Sequence, residues 1–132
     1  MKVVARNQGF TLIELLIVMM IIVILAGTGT MLYTNSITKA NEAALLQDLT
    51  VMRRAIDDYY ADKNKYPASI ETLVEEKYLR AVPRDPFTQS SDTWQTELSD
   101  PEPGNPSAEP GVFDVKSGSD RVGINGTPYA EW

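Results

Sequence analysis

The sequence predicts an α+β protein, in which one long N-terminal α-helix packs against a small antiparallel β-sheet that carries a C-terminal loop. Three observations support this fold class. An apolar run fills residues 10–34, an amphipathic pattern continues it to residue 62, and short segments typical of strands follow residue 93. With 132 residues, the chain has room for one small domain on a membrane-spanning helix.

The apolar run has the length and composition of a membrane span, and Glu14 is its only charged side chain. A helix rises about 1.5 Å per residue, so about 20 such residues cross a hydrocarbon core of about 30 Å. Lys2 and Arg6 precede the run and favour a cytoplasmic N-terminus. We therefore predict that the first half of the helix spans a membrane.

The amphipathic segment places apolar side chains at steps of three and four residues. These residues are Ile37, Leu45, Leu49, Met52, Ile56 and Tyr59. Charged residues lie between them, so one stripe of the helix is expected to face a core. We predict a nearly continuous helix over residues 11–62, which is weakest at Gly27 and Gly29 because each glycine costs about 1 kcal/mol relative to alanine.

The rest of the chain contains a second helix and two strands. Asn64-Lys65-Tyr66-Pro67 ends the long helix, because proline disfavours helical geometry in the residue before it. Ser69 is a predicted N-cap of a short helix with Glu71 in its first turn. Its inward-facing residues are expected to be Leu73, Val74 and Leu79. Residues 93–98 and 111–117 are the predicted strands, joined by an exposed loop rich in proline and acids.

Composition limits the possible functions. The net charge is −6, and no basic patch favours a nucleic-acid partner. Cysteine is absent, so the chain has no disulfide and no thiolate metal site. Histidine, the commonest general base and zinc ligand, is absent too, and no nucleophile motif is present. Serine, aspartate and lysine remain, so these observations do not by themselves exclude catalysis.

The start of the apolar run reads Gly9-Phe10-Thr11-Leu12-Ile13-Glu14 and resembles the type IV pilin and pseudopilin family. In that family a membrane peptidase cuts after the glycine and methylates the new amino terminus. The resemblance implies that residues 1–9 are a leader and that processing occurs between Gly9 and Phe10. Residues 10–34 would be the transmembrane and filament-core helix, and residues 35–132 a periplasmic domain.

Glu14 is the predicted assembly residue. Cutting after Gly9 would create an amino group on Phe10, one helical turn from Glu14 on the same face. In a stacked filament, the amine of one subunit could meet Glu14 of its neighbour and lower the cost of burying both charges. The alternative is a signal-anchor helix whose single acid extends to the membrane interface.

Three later features resemble the major pseudopilins of type II secretion within that family. They are Lys65-Tyr66-Pro67, the short helix and Pro83-Arg84-Asp85-Pro86-Phe87, in this order. The resemblance implies a non-enzymatic structural subunit, without catalytic residues, that polymerises with its own copies from the inner membrane into a filament that drives protein export. Its partners would be prepilin peptidase, minor pseudopilins, the inner-membrane assembly platform and the membrane itself.

Two alternatives remain at this point. One is a major or minor subunit of a type IV pilus. The other is a membrane-tethered binding module, which would need a pocket of about 300 Å³ or more. A small sheet behind a long helix is expected to leave little room for such a pocket.

The C-terminal loop is a candidate calcium site. Major pseudopilins bind Ca²⁺ in the loop that follows their last strand, and Gly118-Ser119-Asp120 and Glu131-Trp132 match the family in place. The resemblance implies Asp120 and Glu131 as ligands, together with Ser117 or Asn125. The alternative is a tail held without metal by the packing of Tyr129 and Trp132.

Overall fold

The computed structural model describes residues 8–101, 104 and 109–132. Its elements are helix α1 (Leu12–Lys63), helix α2 (Ile70–Glu75), strand β1 (Gln95–Leu98), strand β2 (Val112–Lys116) and a short 3-10 helix (Tyr129–Glu131). The predicted α+β class is confirmed. Helix α1 begins and ends one residue later than predicted. The chain forms two compact units, an N-terminal unit that ends at Ile37 and a C-terminal unit from Thr38 to Trp132.

The N-terminal unit is helical from Leu12 onward, including the two glycines that were the predicted weak point. The hydroxyl of Thr28 donates a hydrogen bond shared between the carbonyl oxygens of Ile24 and Leu25. The hydroxyl of Thr30 donates to the carbonyl oxygen of Gly27. These bonds give the threonine hydroxyl groups backbone partners in the same helix. Among the described residues, α1 is the helix long and apolar enough to cross a membrane.

The C-terminal unit is built around one stripe of α1. The buried stripe residues are Leu45, Leu49, Met52, Ala55, Ile56 and Tyr59. They form the core with residues from the other elements, namely Ile70, Leu73, Leu79, Trp94, Val112, Val115 and Tyr129. Ile37 was predicted to belong to this stripe, but its side chain is 42% exposed. The prediction was wrong because Ile37 precedes the unit that contains the core.

The connection from α1 to α2 follows the predicted signals. Asn64 has a positive φ of 53°, which takes the chain out of the helix. Ser69 caps α2, since its hydroxyl oxygen accepts a hydrogen bond of 3.3 Å from the backbone N–H of Thr72. Leu73 and Leu79 are buried as expected, and Val74 packs against the core while remaining half-buried.

The two strands pair antiparallel in a two-stranded sheet, with Gln95 opposite Lys116 and Glu97 opposite Asp114. Both strands are slightly shorter than predicted. An irregularity between Glu97 and Leu98 shifts the register. The predicted proline-rich loop lies partly outside the described residues; Pro101, Gly104, Glu109 and Pro110 within it are exposed, as expected.

Candidate functional site

The predicted processing junction lies just before the first turn of α1. Gly9 and Phe10 are exposed, and the Phe10 side chain retains 83% of its accessible surface. Thr11 caps the helix, because its hydroxyl oxygen accepts a hydrogen bond of 3.3 Å from the backbone N–H of Glu14. A Cβ atom at Gly9 would meet no atom of the described residues within 4 Å.

Glu14 lies in the first turn of α1 with its side chain exposed. Within the described part of the chain it forms no ion pair. The apolar residues around it are exposed as well. A contiguous apolar surface of this length is typical of a membrane or protein interface. The role of Glu14 in assembly stays a prediction, as does cleavage between Gly9 and Phe10.

Asp85, in the Pro-Arg-Asp-Pro-Phe turn, is fully buried, and both of its carboxylate oxygens accept hydrogen bonds. One carboxylate oxygen accepts hydrogen bonds from the backbone N–H groups of Phe87, at 2.8 Å, and Thr88, at 3.3 Å. The other accepts a bond of 2.6 Å from the Ser117 hydroxyl. Burial raises the pKa of Asp48 on α1 above its usual value, and the negative charge of Asp85 raises it further.

The aromatic residue of the same turn reaches the C-terminal end of the chain. The ring of Phe87 stacks on that of Tyr129, with centroids 3.9 Å apart and planes at 18°. Tyr129 meets Trp132 edge to face at 5.0 Å. Phe87 of the turn and Tyr129 and Trp132 of the tail therefore form a single aromatic cluster.

The four predicted calcium ligands occupy different environments. Asp120, Asn125 and Glu131 are exposed, whereas Ser117 is fully buried. The Ser117 hydroxyl donates to Asp85 and accepts a hydrogen bond from the backbone N–H of Ser119. The side-chain oxygen of Asn125 accepts a hydrogen bond from the backbone N–H of Thr127.

This donor set does not fit a calcium ion as it is arranged. Calcium takes roughly six to eight oxygen ligands, several of them usually carboxylates. Among residues 8–101, 104 and 109–132, no group of three or more acidic, histidine or cysteine side chains could hold a metal. The Ser117 oxygen, moreover, already has two partners. Calcium binding by these residues stays a prediction that comes from the resemblance alone.

Two charged residues of α1 contact the C-terminal segment, and these contacts were not predicted from the sequence. One carboxylate oxygen of Glu42 accepts hydrogen bonds from the backbone N–H of Ile124 and the hydroxyl of Tyr129. Arg53 binds Asp114 through an ion pair of 2.8 Å and also donates to the Val115 and Trp132 carbonyls. Both residues lie at polar positions of an amphipathic pattern, and charged residues at such positions are usually solvated.

An open pocket of about 560 Å³ lies beside the end of α1, which corrects the expectation that little room would remain there. Its walls include Tyr59, Tyr60, Lys65, Tyr66, Asp100 and Pro110. The expectation failed because it considered only the sheet. The pocket instead lies between the end of α1, the α1–α2 connection and described residues of the proline-rich loop.

Comparison with known proteins agrees with these observations. The prokaryotic N-terminal methylation motif matches residues 4–30. The chain is 28% identical over 103 residues to the type II secretion system core protein G of Escherichia coli (strain K12), covering 66% of this chain and 71% of the relative. It is 27% identical to the core protein G of Pectobacterium carotovorum subsp. carotovorum, covering 96% of this chain and 81% of the relative.

A fimbrial protein is also similar. The fimbrial protein EcpC of Eikenella corrodens is 34% identical over 81 residues, which cover 58% of this chain and 53% of that protein. No solved structure matches the chain. The methylation motif and the apolar helix are consistent with anchoring in an inner membrane. The chain therefore carries the N-terminal methylation motif of type IV pilin-like proteins and is homologous to core protein G, the major pseudopilin of type II secretion systems.

Proposed function

We propose that this chain is cut after Gly9 by prepilin peptidase and then polymerises with its own copies into a pseudopilus that drives protein export. Before assembly, residues 10–34 cross the inner membrane once and residues 35–132 lie in the periplasm. An inner-membrane assembly platform adds subunits, and minor pseudopilins join the same filament. The observation that carries this proposal is the exposed apolar surface of the N-terminal unit, with one carboxylate at its start.

The exposure of this helix supports a role in which its partners lie outside the chain. From Leu12 to Leu25 the exposed fractions of the large apolar side chains range from 45 to 81%. Burial of apolar surface is worth about 25 cal/mol per Å² removed from water. Lipid satisfies such a surface before assembly, and neighbouring subunits satisfy it within a filament. One segment can therefore serve as both membrane anchor and polymerisation surface.

Glu14 supplies specificity that apolar contacts lack. A carboxylate among apolar side chains is costly unless it is paired or neutralised. The amine of a processed Phe10 lies one turn away in sequence, and the same group of a neighbouring subunit is the partner that we propose. A pair of this kind forms only at one axial offset between helices. It therefore sets the register of the filament.

The export function rests on the similarity to core protein G, and a pilus subunit is the second candidate because of the similarity to a fimbrial protein. The two candidates differ in what deletion of the gene removes. Loss of a pseudopilus subunit leaves exported proteins in the periplasm, whereas loss of a pilus subunit removes surface fibres and leaves export intact. Fractionation of the host and electron microscopy of its surface separate the two.

The assembly step is tested with Glu14→Leu in cells that contain the peptidase and the platform. This substitution makes the segment more apolar, so insertion should persist, yet filament yield should fall at least tenfold. Glu14→Asp keeps the charge and is the matched control, with an intermediate yield expected. Filaments are measured by shearing and electron microscopy, and insertion by carbonate extraction. A wild-type yield from Glu14→Leu would contradict the proposed pairing.

A further inference from the structure

We propose that the C-terminal loop, defined here as residues 117–132, is held closed without calcium by three side chains outside it, Glu42, Arg53 and Asp85. Asp85 fixes the beginning of the loop, Glu42 fixes its middle, and Arg53 fixes its end. This inference concerns the C-terminal unit only, and it is independent of the filament function proposed above.

Glu42 lies half-buried on α1 and binds two distant points of the loop through one oxygen. The backbone N–H of Ile124 donates at 2.8 Å and the hydroxyl of Tyr129 at 2.9 Å. Hydrogen bonds to a carboxylate are roughly twice as strong as those between neutral groups. A Cβ atom at Gly123 would lie 3.2 Å from the same carboxylate oxygen, so the loop backbone passes close against it.

Tyr129 gives this contact further weight, because its side chain is only 1% exposed. Burial raises the pKa of Tyr129 above its usual value, and the hydrogen bond with Glu42 raises it further. A buried hydroxyl without a partner would cost roughly 1–3 kcal/mol. Glu42 supplies that partner. The burial of Tyr129 in the aromatic cluster of the tail therefore depends on Glu42.

Arg53 lies three turns after Glu42 on the same helix and binds the end of the loop. Its Nε donates to Asp114 at 2.8 Å, and its Nη2 donates to the Trp132 carbonyl at 2.7 Å. The same Nη2 donates to the Val115 carbonyl at 3.0 Å. The guanidinium group thus joins β2 to the last residue of the loop. Lysine, which has a single ammonium group, cannot reproduce this forked geometry.

Asp85 fixes the first residue of the loop by accepting the Ser117 hydroxyl at 2.6 Å inside the core. From there the loop satisfies many of its own polar groups. Ser117 accepts from the Ser119 N–H, the Thr127 carbonyl accepts from the Gly123 N–H, and the Arg121 carbonyl accepts from the Tyr129 N–H. A metal is therefore not needed to close this backbone.

The same contacts use oxygens that a calcium ion would require. Ser117 already has a donor and an acceptor as partners, and the amide oxygen of Asn125 accepts from Thr127. Asp120 and Glu131 are exposed, and they contribute only two carboxylates towards the roughly six to eight oxygens that calcium takes. The polar contacts of α1 and of the Asp85 turn perform the holding role instead.

The test uses the full chain in detergent micelles, with tryptophan fluorescence as the signal. Both tryptophans, Trp94 and Trp132, belong to the C-terminal unit, so the signal reports that unit alone. We expect the wild-type Tm to be the same in millimolar calcium chloride and in EDTA. Isothermal titration with calcium chloride should show no binding, and this measurement requires no variant.

Two variants with matched controls test the contacts themselves. Glu42→Ala and Arg53→Lys should each lower the Tm by several degrees, equally in calcium and in EDTA. The controls are Asp57→Ala and Arg54→Lys, because both parent residues are exposed on the same helix. They should leave the Tm unchanged. Because alanine favours helix, a loss in Glu42→Ala must come from the lost contacts.

Two outcomes would overturn the inference. The first is a wild-type Tm that rises in calcium by several degrees, with Asp120→Ala abolishing the rise. The second is that Glu42→Ala and Arg53→Lys melt at the same temperature as their controls. A variant that fails to fold in both solutions while its control folds agrees with the proposal.

Discussion

The N-terminal unit and the part of α1 in the C-terminal unit have similar apolar side chains but opposite exposure. In the first, the large apolar residues between Leu12 and Leu25 are all at least 45% exposed. In the second, Leu45, Leu49 and Ile56 are at most 1% exposed. Among the residues that the structure describes, apolar partners therefore cover the second part of the helix and not the first.

The two hydrophobic patterns differ in a way that predicts this contrast. The C-terminal part has one apolar stripe, which needs a core on one side only. The N-terminal part is apolar all round, and such a helix needs apolar surroundings on every side. A small domain cannot supply those surroundings. Lipid or neighbouring subunits must therefore do so, as the proposed function requires.

The largest predicted effect breaks the N-terminal unit's function while leaving the other unit intact. Gly9→Val should block cleavage almost completely, because a branched side chain obstructs the peptidase at the junction. A Cβ atom at this position would meet no atom of the described residues within 4 Å, so we expect the fold of the C-terminal unit to be unchanged. Mass spectrometry of membrane-extracted protein should show the intact leader, whereas the wild type should begin at N-methylated Phe10.

Gly9→Ala is the control for this prediction, since its smaller side chain should slow the cut only in part. The melting curve from tryptophan fluorescence should be the same for all three proteins. Complete processing of Gly9→Val would show that the residue before the cut does not need to be small. Uncleaved wild-type protein in a cell with the peptidase would contradict the assignment of the junction.

The second prediction tests the contrast in burial by the same substitution in both units. Ile56 is completely buried, so Ile56→Ala should lower the free energy of unfolding of the C-terminal unit by about 2–5 kcal/mol. Ile22 is 53% exposed, and Ile22→Ala should leave that free energy unchanged. Urea titration in detergent, followed by tryptophan fluorescence, measures both.

Filament yield should show a different pattern in these two variants. Ile22→Ala removes apolar surface that we assign to contacts between subunits, so it should reduce the yield despite normal stability. An equal loss of stability in both variants would contradict the division of the helix. A normal filament yield from Ile22→Ala would show that this position lies outside the interface.

Much of the fold follows from local signals that the sequence contains. The end of α1 was predicted from the segment Asn64-Lys65-Tyr66-Pro67, and the start of α2 from Ser69, because caps and prolines act on the residues next to them. The two strands are marked by their spacing and by the flanking loop. Ile37 shows the limit of periodicity, since a stripe predicts which face can be buried but not where the core ends.

The contacts that hold the C-terminal loop could not be predicted in the same way. Glu42 and Ile124 are 82 residues apart, and the acceptor binds a backbone N–H, which every non-proline residue offers. Arg53 likewise binds two carbonyls. Such bonds impose no requirement on the residue type of the partner. Only the three-dimensional arrangement identifies them.

The smallest predicted effect concerns a hydrogen bond near the end of α1, in the C-terminal unit. The hydroxyl of Tyr78 donates to a carboxylate oxygen of Asp62 at 2.7 Å. The pKa of Tyr78 is raised from 10.0 to about 12, chiefly because this bond holds the phenol proton, while burial and the negative charges of Asp62 and Glu76 raise it further. The folded state thus favours the protonated phenol. The resulting stabilisation is fully present below pH 10 and is lost as the pH rises through about 12.

Asp62→Asn should therefore lower the pKa of Tyr78 towards its usual value. The measurement is the near-ultraviolet absorbance of tyrosinate during a pH titration, with Tyr78→Phe to identify the signal of this residue. Asp58→Asn is the matched control, because Asp58 is an exposed acid of the same helix and should leave the titration unchanged. The stability difference between wild type and Asp62→Asn should be small at neutral pH, since the pair is exposed. If Tyr78 titrates identically in the wild type and in Asp62→Asn, the hydrogen bond does not persist in solution.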